Sequence, residues 1–144
     1  MNLFVLDTDI LTLFQRGTST ILARVAQYSS SEIAISVVTV EEQLRGWLAV
    51  IRRASTPERL IAAYASLHRA VTYFVQVNLL DYREDAASHF AALRGQRMRI
   101  GTQDLRIAAM ALAAGGTLIT RNRRDFQQVP GLLLEDWSET PPSC

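Results

Sequence analysis

The sequence predicts an α/β fold: a three-layer α/β/α sandwich around a mainly parallel sheet of four to five strands. Short apolar runs such as "FVL", "IAIS" and "TLIT" alternate with longer helical segments. That order implies right-handed crossovers between parallel strands. The runs are apolar throughout rather than alternating, as in a sheet covered on both faces. At 144 residues the chain is long enough for one good core, so a single domain is expected over residues 1–137.

Taken in order, Leu3–Leu6 reads as a buried strand and Ile10–Gln15 as a short helix. Thr18–Ser29 reads as a second helix, and residues 33–36 as a second strand. Thr39–Arg53 is a helix that opens with a capping box, Thr39 followed three residues later by Glu42. Thr56 and Pro57 start the next helix, as cap and first turn, running to about Val71. "VQVNLL" (75–80) is expected as a third strand. Arg83–Arg94 and Gln103–Ala114 follow as helices, the latter stopped by Gly115 and Gly116. Residues 117–120 form the fourth strand and 132–135 the fifth. The segment 138–144 is expected as a flexible tail.

The bulk numbers exclude several classes. Formal charge is +1, so no strong global field is available. The longest apolar stretch, Ile107–Ile119, is shorter than a membrane span, and no signal peptide or repeat is evident. The single cysteine, Cys144, leaves no internal disulfide, which fits a reducing, cytoplasmic home. Every Lys/Arg position is arginine, so chemistry that needs a lysine is ruled out. His68 and His89 stand at no metal-ligand spacing, and the serines lack nucleophile-elbow glycines. Trp47 and Trp137 read as packing residues.

In parallel sheets, ligands bind beyond the carboxyl ends of the strands. Asp7 follows the first strand, and Asn122 the fourth, with Asp125 just beyond. Glu42 sits in the first turn after the second strand, and Asp104 opens the helix leading to the fourth. Each has a structural account: Asp7 or Asp9 as a helix cap, Glu42 in its capping box, Asp104 favoured by the helix dipole, and residues 122–125 as a plain turn. Asp81 and Glu84 make a further box with no companion motif. Taken together, the first set would crowd carboxylates at one sheet edge, where they repel. A divalent cation removes that repulsion. Oxygen ligands without a Cys or His cluster point to Mg²⁺ or Mn²⁺ and to phosphoryl chemistry.

Four stretches then resemble a known family: "LDTDIL", "ISVVTVEEQLRG" (35–46), "IGTQDLRIAAMALAAGGTLITRN" (100–122) and "RDFQQVPGLLLEDW" (124–137). They are similar to PIN domains, specifically the VapC-type toxin ribonucleases. Residues 50–98 match only in helical character. The resemblance implies a Mg²⁺- or Mn²⁺-dependent endoribonuclease, the toxin of a toxin–antitoxin pair. It places Asp7, Glu42 and Asp104 as metal ligands. Asn122 stands at a fourth position where many members have an acid, and Asp125 is an alternative. Asp9 supports, as do the hydroxyls of Ser36, Thr39 and Thr120. Arg121, Arg123 and Arg124 are candidates for RNA phosphate. A small antitoxin, a homodimer and no membrane are also implied. Two rivals stand beside this. One is a haloacid-dehalogenase-like phosphatase, suggested by "DTD" after a strand but normally needing a lysine. The other is a PIN-like module that binds RNA or protein and cuts nothing.

Overall fold

A computed structural model describes residues 2–140. Five parallel strands form one sheet in the order β3-β2-β1-β4-β5: β1 (Phe4–Leu6), β2 (Ile33–Ser36), β3 (Leu79–Leu80), β4 (Thr117–Ile119) and β5 (Leu133–Glu135). β1 is central, and the chain winds outward to β2 and β3 on one side and to β4 and β5 on the other. The carboxyl ends of β1 and β4 therefore flank the point where winding reverses, the place where doubly wound sheets bind ligands.

Among the described residues, seven helices cover the two faces: α1 (Thr8–Gln15), α2 (Ser19–Val25), α3 (Val37–Arg53), α4 (Pro57–Gln76), α5 (Glu84–Gly95), α6 (Thr102–Ala114) and α7 (Arg123–Phe126). Strand residues divide by parity, as a pleated sheet requires. Val5 and Leu118 join a core with α5, α6 and Phe126. Phe4, Leu6 and Ile119 join a second core with α1, α2, α4 and Trp137. The sandwich expected from the sequence is present.

Several boundaries differ from expectation. The second helix ends at Val25, and one 3-10 turn (Ser30–Glu32) leads into β2. α4 continues through Gln76, so most of the expected third strand is helix and β3 keeps two residues. Phe74 and Ala70 are buried on the second core, and that packing carries the helix past the apolar alternation of "VQVNLL". α3 starts two residues early. Its cap is Ser36, whose Oγ accepts from the Thr39 amide at 3.1 Å, so the Thr39–Glu42 capping box does not form. α6 starts one residue earlier than expected, at Thr102, with Gly101 as its cap position. Arg83 precedes α5, and Asp81 pairs with Arg83 instead of completing a box with Glu84. Gly115 ends α6 in the left-handed region at φ 66°, where glycine escapes the Cβ penalty.

Of the expected tail, Ser138 is tied back by its amide to Asp136 and by its carbonyl to Thr20, while residues 141–144, including Cys144, lie outside the described residues. No helix among the described residues is long and apolar enough to cross a membrane. Trp137 is fully buried and donates its indole N–H to Glu135 at 3.1 Å. His68 and His89 are exposed.

Candidate active site at the carboxyl edge of the sheet

Asp7 is the first residue past β1 and is only 6% exposed. The structural account of this residue holds, since it caps α1. Its Oδ1 caps α1 by accepting the Thr8 amide at 2.8 Å, and its Oδ2 accepts the Thr120 hydroxyl at 2.9 Å. Burial pushes the carboxyl up to about 6. The Thr120 and Thr8 hydrogen bonds oppose that rise, and the charges of Asp104 and Glu42 add to it. Asp104, half-buried in the first turn of α6, is also raised, by burial first and then by Glu42 and Asp125. Asp7, Glu42, Asp104 and Asp125 thus share one electrostatic neighbourhood, although they come from four separate elements.

Glu42 is positioned by a chain of hydroxyls. The Thr8 hydroxyl donates to Glu42 Oε1 at 2.8 Å and lies 2.9 Å from Thr39 Oγ1, which lies 3.3 Å from Ser36 Oγ. Each hydroxyl has one proton, and a carboxylate only accepts. Thr8 must spend its proton on Glu42, so Thr39 donates to Thr8 and Ser36 donates to Thr39. The Thr39 amide closes the chain on Ser36. Ser36 and Thr39 are fully buried, which makes each of these bonds expensive to break. Ser36 and Thr39 thus reach Glu42 through Thr8. The sequence reading missed Thr8, although its place between the two acids of "LDTDIL" marked a hydroxyl at the same strand end.

Across the site, Thr120 Oγ1 also accepts the Asn122 amide at 3.0 Å. Asn122 caps α7 and donates from Nδ2 to Asp125 Oδ2 at 3.0 Å. Asn122 and Asp125 are thus hydrogen-bonded to each other, and the Asp125 amide donates to Asn122 Oδ1 at 3.3 Å. Asp9 is turned outward, where Arg121 Nε donates to it at 2.7 Å. Arg121 is thereby engaged with Asp9, while Arg123 and Arg124 lie exposed on α7.

The donor set suits a hard divalent ion: carboxylate oxygens, with no histidine or cysteine among them, held close enough that the charge of Glu42 adds to the raised pKa of both Asp7 and Asp104. Among the described residues no three acidic, histidine or cysteine side chains already converge as a finished chelate. Both Asp7 oxygens and Glu42 Oε1 are engaged by hydroxyl or amide donors.

The sequence matches the PIN domain family over residues 4–132. The chain belongs to that family. Ribonuclease VapC2 of Haemophilus influenzae is 32% identical over 139 residues, covering 93% of this chain and 97% of that protein. The tRNA(fMet)-specific endonuclease VapC of Shigella flexneri is 29% identical, over 94% of this chain and 98% of its own. Among solved structures, the DNA-bound VapBC of Salmonella typhimurium superposes with a TM-score of 0.71 at 27% identity, covering 95% of this chain and 99% of that one. These matches put the chain in the VapC-type group of PIN domains.

Proposed function

We propose that this PIN domain is an endoribonuclease that hydrolyses RNA phosphodiester bonds with Mg²⁺ or Mn²⁺, and that it is the toxin of a cytoplasmic toxin–antitoxin pair. The observation that carries this is Asp7, a buried carboxylate beside two other acids at the switch point of the sheet, with hydroxyl and amide partners only. The relatives named as ribonucleases support the reaction class. The VapBC structures support a protein partner.

Asp7, Glu42 and Asp104 would hold the ion. When bound, it supplies charge neutralisation at phosphorus and a lower pKa for the attacking water. The chain's own part is orientation. Thr120 and the Thr8 amide fix the Asp7 carboxylate, and the hydroxyl chain from Ser36 fixes Glu42. The Asn122–Asp125 pair stands beside Asp104, where it can hold the attacking water in line with the scissile bond. Attack places the water oxygen on phosphorus and releases a ribose oxygen, which takes up a proton as it leaves. Arg123 and Arg124 offer bidentate contacts to flanking phosphates, and Arg121 would do so only on release from Asp9.

Purified chain incubated with folded RNA and Mn²⁺ should give defined cuts, and EDTA should stop them. Cleavage unchanged in EDTA contradicts the metal mechanism. No cleavage of any RNA with Mn²⁺ moves the reading to a non-catalytic module. Expressed without a partner in a bacterium, the wild type should arrest growth and Asp104→Asn should not.

A further inference from the structure

A groove of about 490 Å³ leaves the acid edge between α1 and α3. Thr8 and Glu42 form its inner end, so it is continuous with the candidate active site. Farther out it is lined by Gln15, Gln43 and Trp47, with Arg16 also on its wall.

Gly46 lies on this wall, in the interior of α3. A glycine there weakens a helix relative to alanine. Nothing in the fold demands it. Its backbone is not in the left-handed region, and an added Cβ would meet no atom within 4 Å. The glycine keeps the groove floor clear of a side chain although no part of the described fold occupies that space.

The lining suits a nucleobase. Gln15 and Gln43 exchange amide hydrogen bonds, Gln43 Nε2 to Gln15 Oε1 at 2.9 Å and Gln15 Nε2 to Gln43 Oε1 at 3.1 Å. That exchange uses one N–H and one lone pair of each. Both carbonyls keep a second lone pair and Gln15 keeps a second N–H, a donor–acceptor set matched to a base edge. Trp47 is half-buried rather than enclosed, and it lines this groove and a neighbouring hollow that contains Arg69. It packs against the second core, as its sequence reading expects, and remains partly exposed. An indole of this kind offers a face for stacking an unpaired base.

We infer that this groove is a nucleotide subsite for single-stranded RNA adjoining the scissile bond, with Trp47 stacking the base, Gln15 and Gln43 reading its edge, and Gly46 allowing close approach to α3. The inference rests on the ribonuclease reading for its substrate class. It adds a specificity site outside the acids, and recognition of single-stranded bases is how RNA sequence is usually read.

The test uses the full chain carrying Asp104→Asn, so that RNA is not consumed, titrated with the RNA pentamers A5, C5, G5 and U5 while tryptophan emission is followed. Trp137 is fully buried, so quenching reports Trp47. At least one pentamer should quench saturably, and adding Gly46→Leu should abolish the quench. Gln43→Leu should change the ranking of the four pentamers. In the otherwise wild-type enzyme, Gly46→Ala should raise Tm and Trp47→Ala should raise KM about tenfold, the cost of one stacked base, with kcat largely kept. Gly95→Ala, at the end of α5 with equally open space, should leave KM unchanged. The subsite is overturned if no pentamer quenches Trp47, or if Gly46→Leu cleaves RNA with normal KM. It is also overturned if Gly46→Leu loses only a protein partner and keeps its RNA parameters. Failure of the wild type to cut RNA is a separate result, since the quench is read without cleavage.

Discussion

Two sets of carboxylates, neighbours in sequence at Asp7 and Asp9 and at Glu41 and Glu42, are treated in opposite ways. Asp9, Glu41, Asp81 and Glu135 each pair with an arginine, to Arg121, Arg45, Arg83 and Arg24. Asp7, Glu42, Asp104 and Asp125 take no arginine among the described residues. The three of these with side-chain hydrogen bonds take hydroxyl or amide donors instead: Thr8 and Thr120 for Asp7, Thr8 for Glu42, and Asn122 for Asp125. The contrast is not a shortage of cations, since the chain has fifteen arginines. Neutral donors hold a carboxylate in place without cancelling its charge. The site edge is therefore oriented yet left electrostatically open, at a cost visible in the raised pKa values of Asp7 and Asp104. Such an arrangement is suited to a cation that comes from outside the chain.

The largest effects should come from neutralising the unpaired set. Asp104→Asn should fold and lose cleavage by at least about a hundredfold, as expected when a transition-state electrostatic contact is removed. Glu42→Gln should behave similarly. Because Ser36 and not the Thr39–Glu42 box caps α3, its stability should shift by no more than about 0.5 kcal/mol. Single-turnover cleavage alongside thermal melts checks both. Loss of fold in Glu42→Gln would return that residue to a structural role.

Next comes a stability effect of reversed sign. The carboxyl of Asp7 ordinarily titrates near 3.8 and is raised to about 6 in the fold. The folded state then holds the proton more tightly than the unfolded state, so metal-free stability falls as pH rises from about 4 to about 6. Asp7→Asn escapes this loss. Without metal it should be more stable than wild type above pH 6, by on the order of 3 kcal/mol, and the advantage should vanish near pH 4. Denaturant melts across that range in EDTA provide the check.

Smaller still is Thr39→Val, which cuts the hydroxyl chain between Ser36 and Thr8. It should cost about 1–3 kcal/mol through the unsatisfied buried partners and should lower cleavage with little change in KM. At the other end of the scale, Asp81→Asn removes an exposed arginine pair and should cost under about 1 kcal/mol, with cleavage unchanged.

The sheet and most helices were legible because apolar runs and capping residues speak locally. The acids at strand ends were legible because parallel topology turns chain position into spatial position. What escaped depended on tertiary choice. Ser36 and Thr39 both carry a hydroxyl able to cap a helix, three residues apart, and only the end of β2 selects Ser36. "VQVNLL" alternates like a strand, yet the burial of Phe74 extends α4 through Gln76. The link from Thr8 to Glu42 spans 34 positions and leaves no local signature. Asp7 and Asp9 are told apart in the sequence mainly by the family resemblance, which places the first as a ligand and the second as a support. The sheet edge buries one and hands the other to Arg121.

The sharpest question is whether the unpaired acids form a divalent-cation site. Thermal unfolding at pH 7.5, titrated with Mn²⁺ up to millimolar concentration, tests it most directly. Binding to the folded state alone should raise the wild-type Tm progressively with Mn²⁺. Asp7→Asn should start from a higher metal-free Tm and respond little, while Asp81→Asn should respond as wild type does. A wild-type Tm that is flat in Mn²⁺, or a rise that Asp7→Asn shares in full, would contradict the account.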